Sequence, residues 1–280
     1  MDHEHLITDT GRSMRLRATR HGLMLFNRND RFIGRCLDHY GESSEEEVQA
    51  LLKFVRPGMT VLDIGANIGT HTVPLAKAVG PAGTVIAFEP QRLVFTTLCA
   101  NVALNSLANV RPLWSGAGES RGVAHVPPQN YDSEGNFGGV SLDADAGEPV
   151  EVVPVDGFGL PACHLIKIDV EGMEIPVIKG AAETIARHRP ILYVENDRRR
   201  RSAQLIALIL DMGYRAYWHL PALYSASNFY GAPIDGPHMI SVNLLCVPQE
   251  SPIAINGIPQ VKSPADRPAH WGPPETDPDL

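Results

Sequence analysis

Short apolar runs alternate along most of the chain with stretches whose apolar residues recur every three to four positions. Val61-Leu62-Asp63-Ile64, Val85-Ile86-Ala87-Phe88, Val110-Arg111-Pro112-Leu113-Trp114, Leu165-Ile166-Lys167-Ile168, Ile191-Leu192-Tyr193-Val194, Tyr214-Arg215-Ala216-Tyr217-Trp218 and Val242-Asn243-Leu244-Leu245-Cys246-Val247 predict strands. Amphipathic spacing predicts helices between them, most clearly over 70–79, 92–104, 175–188 and 202–212. Near-continuous apolar strands need cover on both faces, which a mostly parallel sheet flanked by helices supplies. The pattern therefore predicts a doubly wound α/β fold.

The flanks have a different texture. Arg15-Leu16-Arg17-Ala18 and Leu23-Met24-Leu25-Phe26 predict strands joined by a turn at Asn27-Arg28-Asn29-Asp30. Glu45, Glu46 and Glu47 then suit a first helical turn, where the macrodipole favours acids, and Val48, Leu51, Leu52 and Val55 continue the helix until Pro57-Gly58. Between Ser115 and Val155 a Gly- and Pro-containing stretch is too long for a bare connection and predicts a functional insert or short strands of its own. After Val247, closely spaced prolines predict an extended or partly disordered surface tail without chemistry. The expected organisation is a β/α lead-in over 1–56, a Rossmann-like domain over 57–247 and a tail over 248–280.

Of the 280 residues 44% are apolar and 20% charged, enough for a full core. The net charge of -8 disfavours nucleic acid and anionic membranes as partners, and Arg198-Arg199-Arg200-Arg201 reads as a solvated helix start. Cys36, Cys99, Cys163 and Cys246 form no close pair and read as buried thiols of a reducing compartment. Met1-Asp2-His3-Glu4-His5 does not open a signal peptide, and no run has the about 18 apolar residues of a membrane span. These observations predict a cytoplasmic protein.

The most informative segment is Asp63-Ile64-Gly65-Ala66-Asn67-Ile68-Gly69-Thr70, in which a strand enters a glycine-bracketed turn and then a helix. Ligands of open α/β sheets bind outside such strand ends. A dinucleotide site would place glycine where Asn67 stands, and Asp63 beside a diphosphate would be repulsive, whereas a carboxylate suits a cationic amino group. S-adenosylmethionine carries that cation and no phosphate. The second strand ends Phe88-Glu89-Pro90, placing Glu89 where an acid accepts hydrogen bonds from ribose hydroxyls. The alternative is a turn that merely joins strand to helix.

The run from Asp63 to Thr70, Ala87-Phe88-Glu89-Pro90, the Asn101-to-Asn105 helix end and above all Leu165-Ile166-Lys167-Ile168-Asp169-Val170-Glu171-Gly172-Met173-Glu174 resemble the FkbM-type group of S-adenosylmethionine-dependent methyltransferases. The resemblance covers roughly 46–247. It implies a seven-stranded, mostly parallel Rossmann-like sheet with a reversed last strand, and methyl transfer to a hydroxyl of a small natural product or carbohydrate. On this reading Asp63, Gly65, Asn67, Gly69 and Thr70 form the methionine pocket, Glu89 and Pro90 the ribose side, and Ser115-Gly116 backbone lies by the adenine. Asn136-Phe137-Gly138-Gly139-Val140-Ser141 also resembles a family element, either lining the pocket or making a hairpin turn.

Parallel strands share one carboxyl edge, so Asp169, Glu195 and Asn196 are expected there as hard oxygen donors suited to Mg2+, an arrangement similar to that of metal-dependent O-methyltransferases. Such an ion would lower the pKa of an acceptor oxygen. The competing reading gives Asp169 to cofactor or substrate, with Glu195 and Asn196 satisfying loop backbone. Asp169 and Glu171 are the candidate catalytic residues, Glu171 either as acid or base or as a structural acceptor. His71 reads as a helix-start residue, His219 and His238 as surface or packing residues, and Tyr224 and Tyr230 as members of a loop able to cover a flat acceptor. Rival functions are a nicotinamide-dependent oxidoreductase, a nucleic-acid methyltransferase and a catalytically silent binding module.

Overall fold

The computed structural model describes residues 8–9, 13–142, 146–235 and 239–271, so Met1 to His5 and His238 lie outside the described residues. Strands β1 (Thr8–Asp9), β2 (Met14–Thr19) and β3 (Gly22–Asn27) form a small antiparallel sheet. The hairpin turn is Arg20-His21, between paired Thr19 and Gly22. Asn27 to Asp30, expected to be that turn, instead leads into helix α1 (Ile33–Tyr40), where Asp30 accepts the N–H of Phe32 at 2.9 Å. Helix α1 was not anticipated, although Ile33, Cys36, Leu37 and Tyr40 follow helical spacing. Helix α2 (Glu45–Leu52) completes the lead-in.

The central elements follow as β4 (Thr60–Ile64), α3 (Thr72–Val79), β5 (Thr84–Phe88), α4 (Arg92–Leu104) and β6 (Val110–Leu113). The insert supplies β7 (Gly116–Ala117), β8 (Gly122–Val126) and β9 (Glu148–Val153), which form their own sheet. Then come β10 (Leu165–Ile168), α5 (Glu174–Lys179), α6 (Ala182–His188), β11 (Ile191–Glu195), α7 (Arg199–Asp211), β12 (Tyr214–His219) and β13 (Asn243–Pro248). The main sheet runs β12-β13-β11-β10-β4-β5-β6, and β13 is antiparallel to both its neighbours, so the last strand is reversed as expected. The helix expected over 175–188 is interrupted at Gly180 and Ala181, and glycine is required at 180 because a Cβ there would stand 1.9 Å from the Gly118 carbonyl oxygen where the insert's sheet approaches.

Alternation along the strands divides the core in two. Leu62, Ile64, Ile86, Ile166, Ile168 and Leu192 pack with Val177, Ile185, Leu205 and Ile206 of α5 to α7. Val61, Val85, Leu165 and Ile191 pack on the other face with Leu51, Val73, Leu75 and Leu98 of α2 to α4. The tail is not loose along its first part: Val261 donates its N–H to Ala216 of β12 at 2.9 Å, and the Trp271 ring meets Trp218 with centroids 5.9 Å apart. Among the described residues no helix is long and apolar enough to cross a membrane.

The lead-in is fastened to the domain by Asn101 of α4 and Asn105, which follows its last turn. Asn105 accepts the Leu23 N–H at 3.2 Å and donates to its carbonyl at 2.7 Å, and Asn101 does the same for Leu25 at 2.6 and 3.0 Å. Residues four apart on a helix meet residues two apart on a strand, matching about 6 Å against about 6.8 Å of axial rise. The fully buried Asn101 also donates to Ile68 in the glycine turn at 2.8 Å. Asn101→Ala strands these buried backbone groups, and urea unfolding should show a loss of about 1–3 kcal/mol.

Candidate functional site

The register of β4, β10 and β11 sets Asp63, Lys167 and Tyr193 side by side on the α3 face of the sheet. Lys167, 2% exposed, lies 3.4 Å from Asp63 and 3.2 Å from Asp169 and donates to the Gly65 carbonyl at 3.0 Å. Against the desolvation that lowers it, the charges of Asp169 and Asp63 hold its pKa above the usual lysine value. Asp63 also accepts a 2.6 Å hydrogen bond from the Thr72 hydroxyl and is fully buried. Asp63, expected in the methionine pocket, does not line the cavity, because its carboxylate is committed beneath the turn.

That cavity, of about 320 Å³, opens along the carboxyl edge and is bordered by Gly65, Asn67, Thr70, Glu89, Pro90, Ser115, Gly116, Asp169 and Glu171 among others. Gly69 shapes the turn at φ +94° without bordering the space. Gly65 has φ +78°, and a Cβ there would lie 1.7 Å from the Asp169 carbonyl oxygen, so only glycine lets β4 and β10 converge. Every backbone N–H from Gly65 to Gly69 is used within the protein. Gly65 and Ala66 donate to Phe88, Asn67 to the Glu89 carboxylate at 2.9 Å, Ile68 to the Asn67 side chain at 2.7 Å, and Gly69 to Ala66.

Glu89, 3% exposed, also accepts the Gln91 N–H at 2.8 Å. Burial pushes its carboxyl up to about 7, against the opposing pull of those N–H groups and of Lys167. Gln91, which sequence reasoning missed, donates to the Phe137 carbonyl at 2.7 Å and so draws the insert over the cavity. Asn136, Gly138, Gly139, Val140 and Leu142 line that side. Tyr224 instead packs on Tyr40 and Tyr230 donates to the Ala18 carbonyl at 2.6 Å, so these tyrosines brace the lead-in, while Leu223 and 240–242 face the cavity. His219 meets the Tyr193 hydroxyl at 2.7 Å.

Across the cavity, oxygens of Asp169, Glu171 and Glu195 come within 4.8 Å of one another. Burial first, then the neighbouring carboxylates, raises the pKa of both Glu171 and Glu195, with Arg198 opposing at Glu171. Asn196 does not join them. Successive residues at a strand end point to opposite faces, so Asn196 turns toward α7, where its amide donates to the Ser202 hydroxyl at 2.9 Å. The arginine run is exposed at Arg198, Arg200 and Arg201, as expected, but two of its members also reach inward: Arg198 binds Glu171, and Arg201 donates to the Gly172 carbonyl, clamping the loop after β10.

Glu47 and His71 were given no role in binding, yet both line the cavity, His71 Nε2 lying 3.4 Å from a Glu47 oxygen. The signal was available, since Glu47 shares the buried face of α2 with Leu51, four residues on.

A seven-stranded sheet with its last strand reversed, a glycine turn after β4 and an acid after β5 define the Rossmann-like methyltransferase class. The chain belongs to the family described as the methyltransferase FkbM domain, whose model matches residues 63–216. It is 28% identical over 158 residues to the hexuronic acid methyltransferase AglP of Haloferax volcanii, covering 55% of this chain and 62% of that protein. It is 29% identical over 157 residues to methyltransferase sdnD of Sordaria araneosa, covering 44% of this chain and 60% of the relative. The chain thus spans about three fifths of the length of both. The 31-O-demethyl-FK506 methyltransferase FkbM of Streptomyces tacrolimicus is 26% identical over 209 residues, covering 63% of this chain and 80% of its own. A solved methyltransferase FkbM from Methylobacillus flagellatus superposes with TM-score 0.44 at 18% identity, over 71% of this chain and 50% of its own.

Lys167→Met leaves Asp63 buried without a counter-charge and should cost about 3–5 kcal/mol in chemical denaturation. A carboxyl whose pKa is raised by folding stabilises below its unfolded value and loses that contribution as pH rises through the folded value. The ligand-free protein should therefore lose stability between pH 4.5 and about 7, and Glu89→Gln should flatten that slope in thermal unfolding across pH.

Proposed function

We propose that this protein transfers a methyl group from S-adenosylmethionine to a hydroxyl of a small natural product or carbohydrate. The observation that carries the reading is the closed glycine turn. A dinucleotide site needs free N–H groups for its pyrophosphate, whereas here Gly65 to Gly69 spend theirs internally and present the Glu89 carboxylate beside the turn. That arrangement suits a phosphate-free nucleoside and disfavours the nicotinamide reading. The buried, unpartnered His71 Nε2 and Glu195 Oε2 are polar atoms that such a ligand or its acceptor would engage.

In this reading Glu89 accepts hydrogen bonds from the ribose hydroxyls, backbone at Ser115-Gly116 borders the adenine, and Gly65 and Asn67 wall the sulfur side. The bound cofactor supplies an electrophilic methyl on a sulfonium. The chain supplies positioning and a proton acceptor: Asp169 orients the acceptor hydroxyl, and Glu171, with Arg198 fixing its carboxylate, takes the proton. Burial brings Glu171 up to about 7, an affinity matched to proton transfer near neutrality. A divalent ion such as Mg2+ would find donors in Asp169, Glu171 and Glu195, while Asn196 is bonded to Ser202 and does not border the cavity, and the transfer just described does not pass through such an ion. The names of the relatives from Haloferax volcanii and Streptomyces tacrolimicus, which refer to a hexuronic acid and a demethylated natural product, support a small acceptor. The carboxylates on the cavity wall disfavour nucleic acid.

Titration calorimetry should show S-adenosylmethionine and S-adenosylhomocysteine binding and NAD not binding, with Glu89→Ala weakening the first two by about 1–3 kcal/mol. Incubation with a panel of hydroxylated acceptors should release S-adenosylhomocysteine. Preference for the dinucleotide would sink the reading.

A further inference from the structure

On the α2 and α3 side of the cavity Glu47 has no role in the reading above, and no particular part of the ligand is assigned there to the His71 ring nitrogen beside it. Glu47 and His71 have side chains 6% and 8% exposed, both border the cavity, and His71 Nε2 is buried without a hydrogen-bond partner 3.4 Å from Glu47. Asp63, the acid with which the sequence met the cofactor's cation, is held by Thr72 and Lys167 below the turn. Lys167 is in turn held by Asp63, Asp169 and the Gly65 carbonyl.

We infer that Glu47 and His71 bind the amino-acid end of S-adenosylmethionine, Glu47 taking the ammonium and His71 the carboxylate, an inference that rests on the cofactor reading above. The sheet order β10-β4-β5-β6 fixes the direction. With adenine beside the residues after β6 and ribose beside Glu89 after β5, the rest of the molecule extends over β4 toward β10. There His71 stands immediately before α3, and α2, packed against α3, brings in Glu47. A zwitterion asks for an acceptor and a donor side by side, and a buried Glu–His pair with an unspent ring nitrogen provides them; without a ligand that nitrogen stays desolvated and unpaired. Glu47 lies ahead of the family-matched segment, so the lead-in completes the cofactor site.

The test is calorimetric binding of S-adenosylmethionine, S-adenosylhomocysteine and 5′-methylthioadenosine, which lacks the amino-acid end, to wild type, Glu47→Gln and His71→Leu, each checked by thermal unfolding. The expected result is a loss of about tenfold or more for the first two ligands in both variants and unchanged affinity for 5′-methylthioadenosine. Unchanged affinity of Glu47→Gln for all three ligands, or an equal loss for all three, overturns the inference while leaving the cofactor reading standing. Failure of wild type to bind any of them overturns both.

Discussion

The buried Lys167 ammonium is the charge on which the carboxyl edge depends. Taking Asp63 out of water is costly, and a single buried cation between β4 and β10 offsets it while also pairing with the more exposed Asp169 and gripping the Gly65 carbonyl. The glycine turn therefore keeps its shape through backbone geometry and electrostatics together. Thr72 on Asp63 extends the same network into the first turn of α3. Loss of the cation would disturb the turn, the helix start and the cavity wall at once, because each is bonded to a group that Lys167 neutralises.

Around that charge the site divides into two chemistries. On the β5 and β6 side Glu89 is both a structural acceptor, through Asn67 and Gln91, and a face of the cavity. On the β10 and β11 side, carboxylates crowd together and burial raises their proton affinity. The first environment suits fixed recognition of hydroxyls, the second exchange of a proton. Arg198 and Arg201 hold the loop between them in place from α7.

The sheet was legible because its strands are apolar over their whole length, and the reversed last strand because the motif around Asp169 carried a family likeness. Glycine turn and Glu89 were legible because position along a strand dictates which edge a residue reaches. What escaped depended on direction, not position. Asp63 sits at the right strand end but points beneath the turn, and Asn196 follows Glu195 but faces the opposite layer. Lys167 was visible as a lone charge in an apolar strand, yet apart from Asp169 two residues on, its partners Asp63 and the Gly65 carbonyl belong to β4 and its turn, and no local pattern names them. Glu47 was read through the helix dipole, a one-dimensional effect, whereas its place on the cavity wall comes from the face of α2 that packs on α3. The arginine run is exposed as read, but the grip of Arg198 and Arg201 escaped because their acceptors, Glu171 and the Gly172 carbonyl, lie on a loop far away in sequence.

Asn101 and Asn105 have a consequence beyond fastening. Strand β3 is one of the two outer strands of its sheet, and outer strands offer open backbone groups to any passing chain. By answering the Leu23 and Leu25 amides and carbonyls from a helix, these side chains imitate a neighbouring strand and leave that rim with nothing to recruit. Cover of that rim and closure of the glycine turn thus share one side chain, Asn101, so a chain that relaxed there would become stickier as it lost its grip on its own loop.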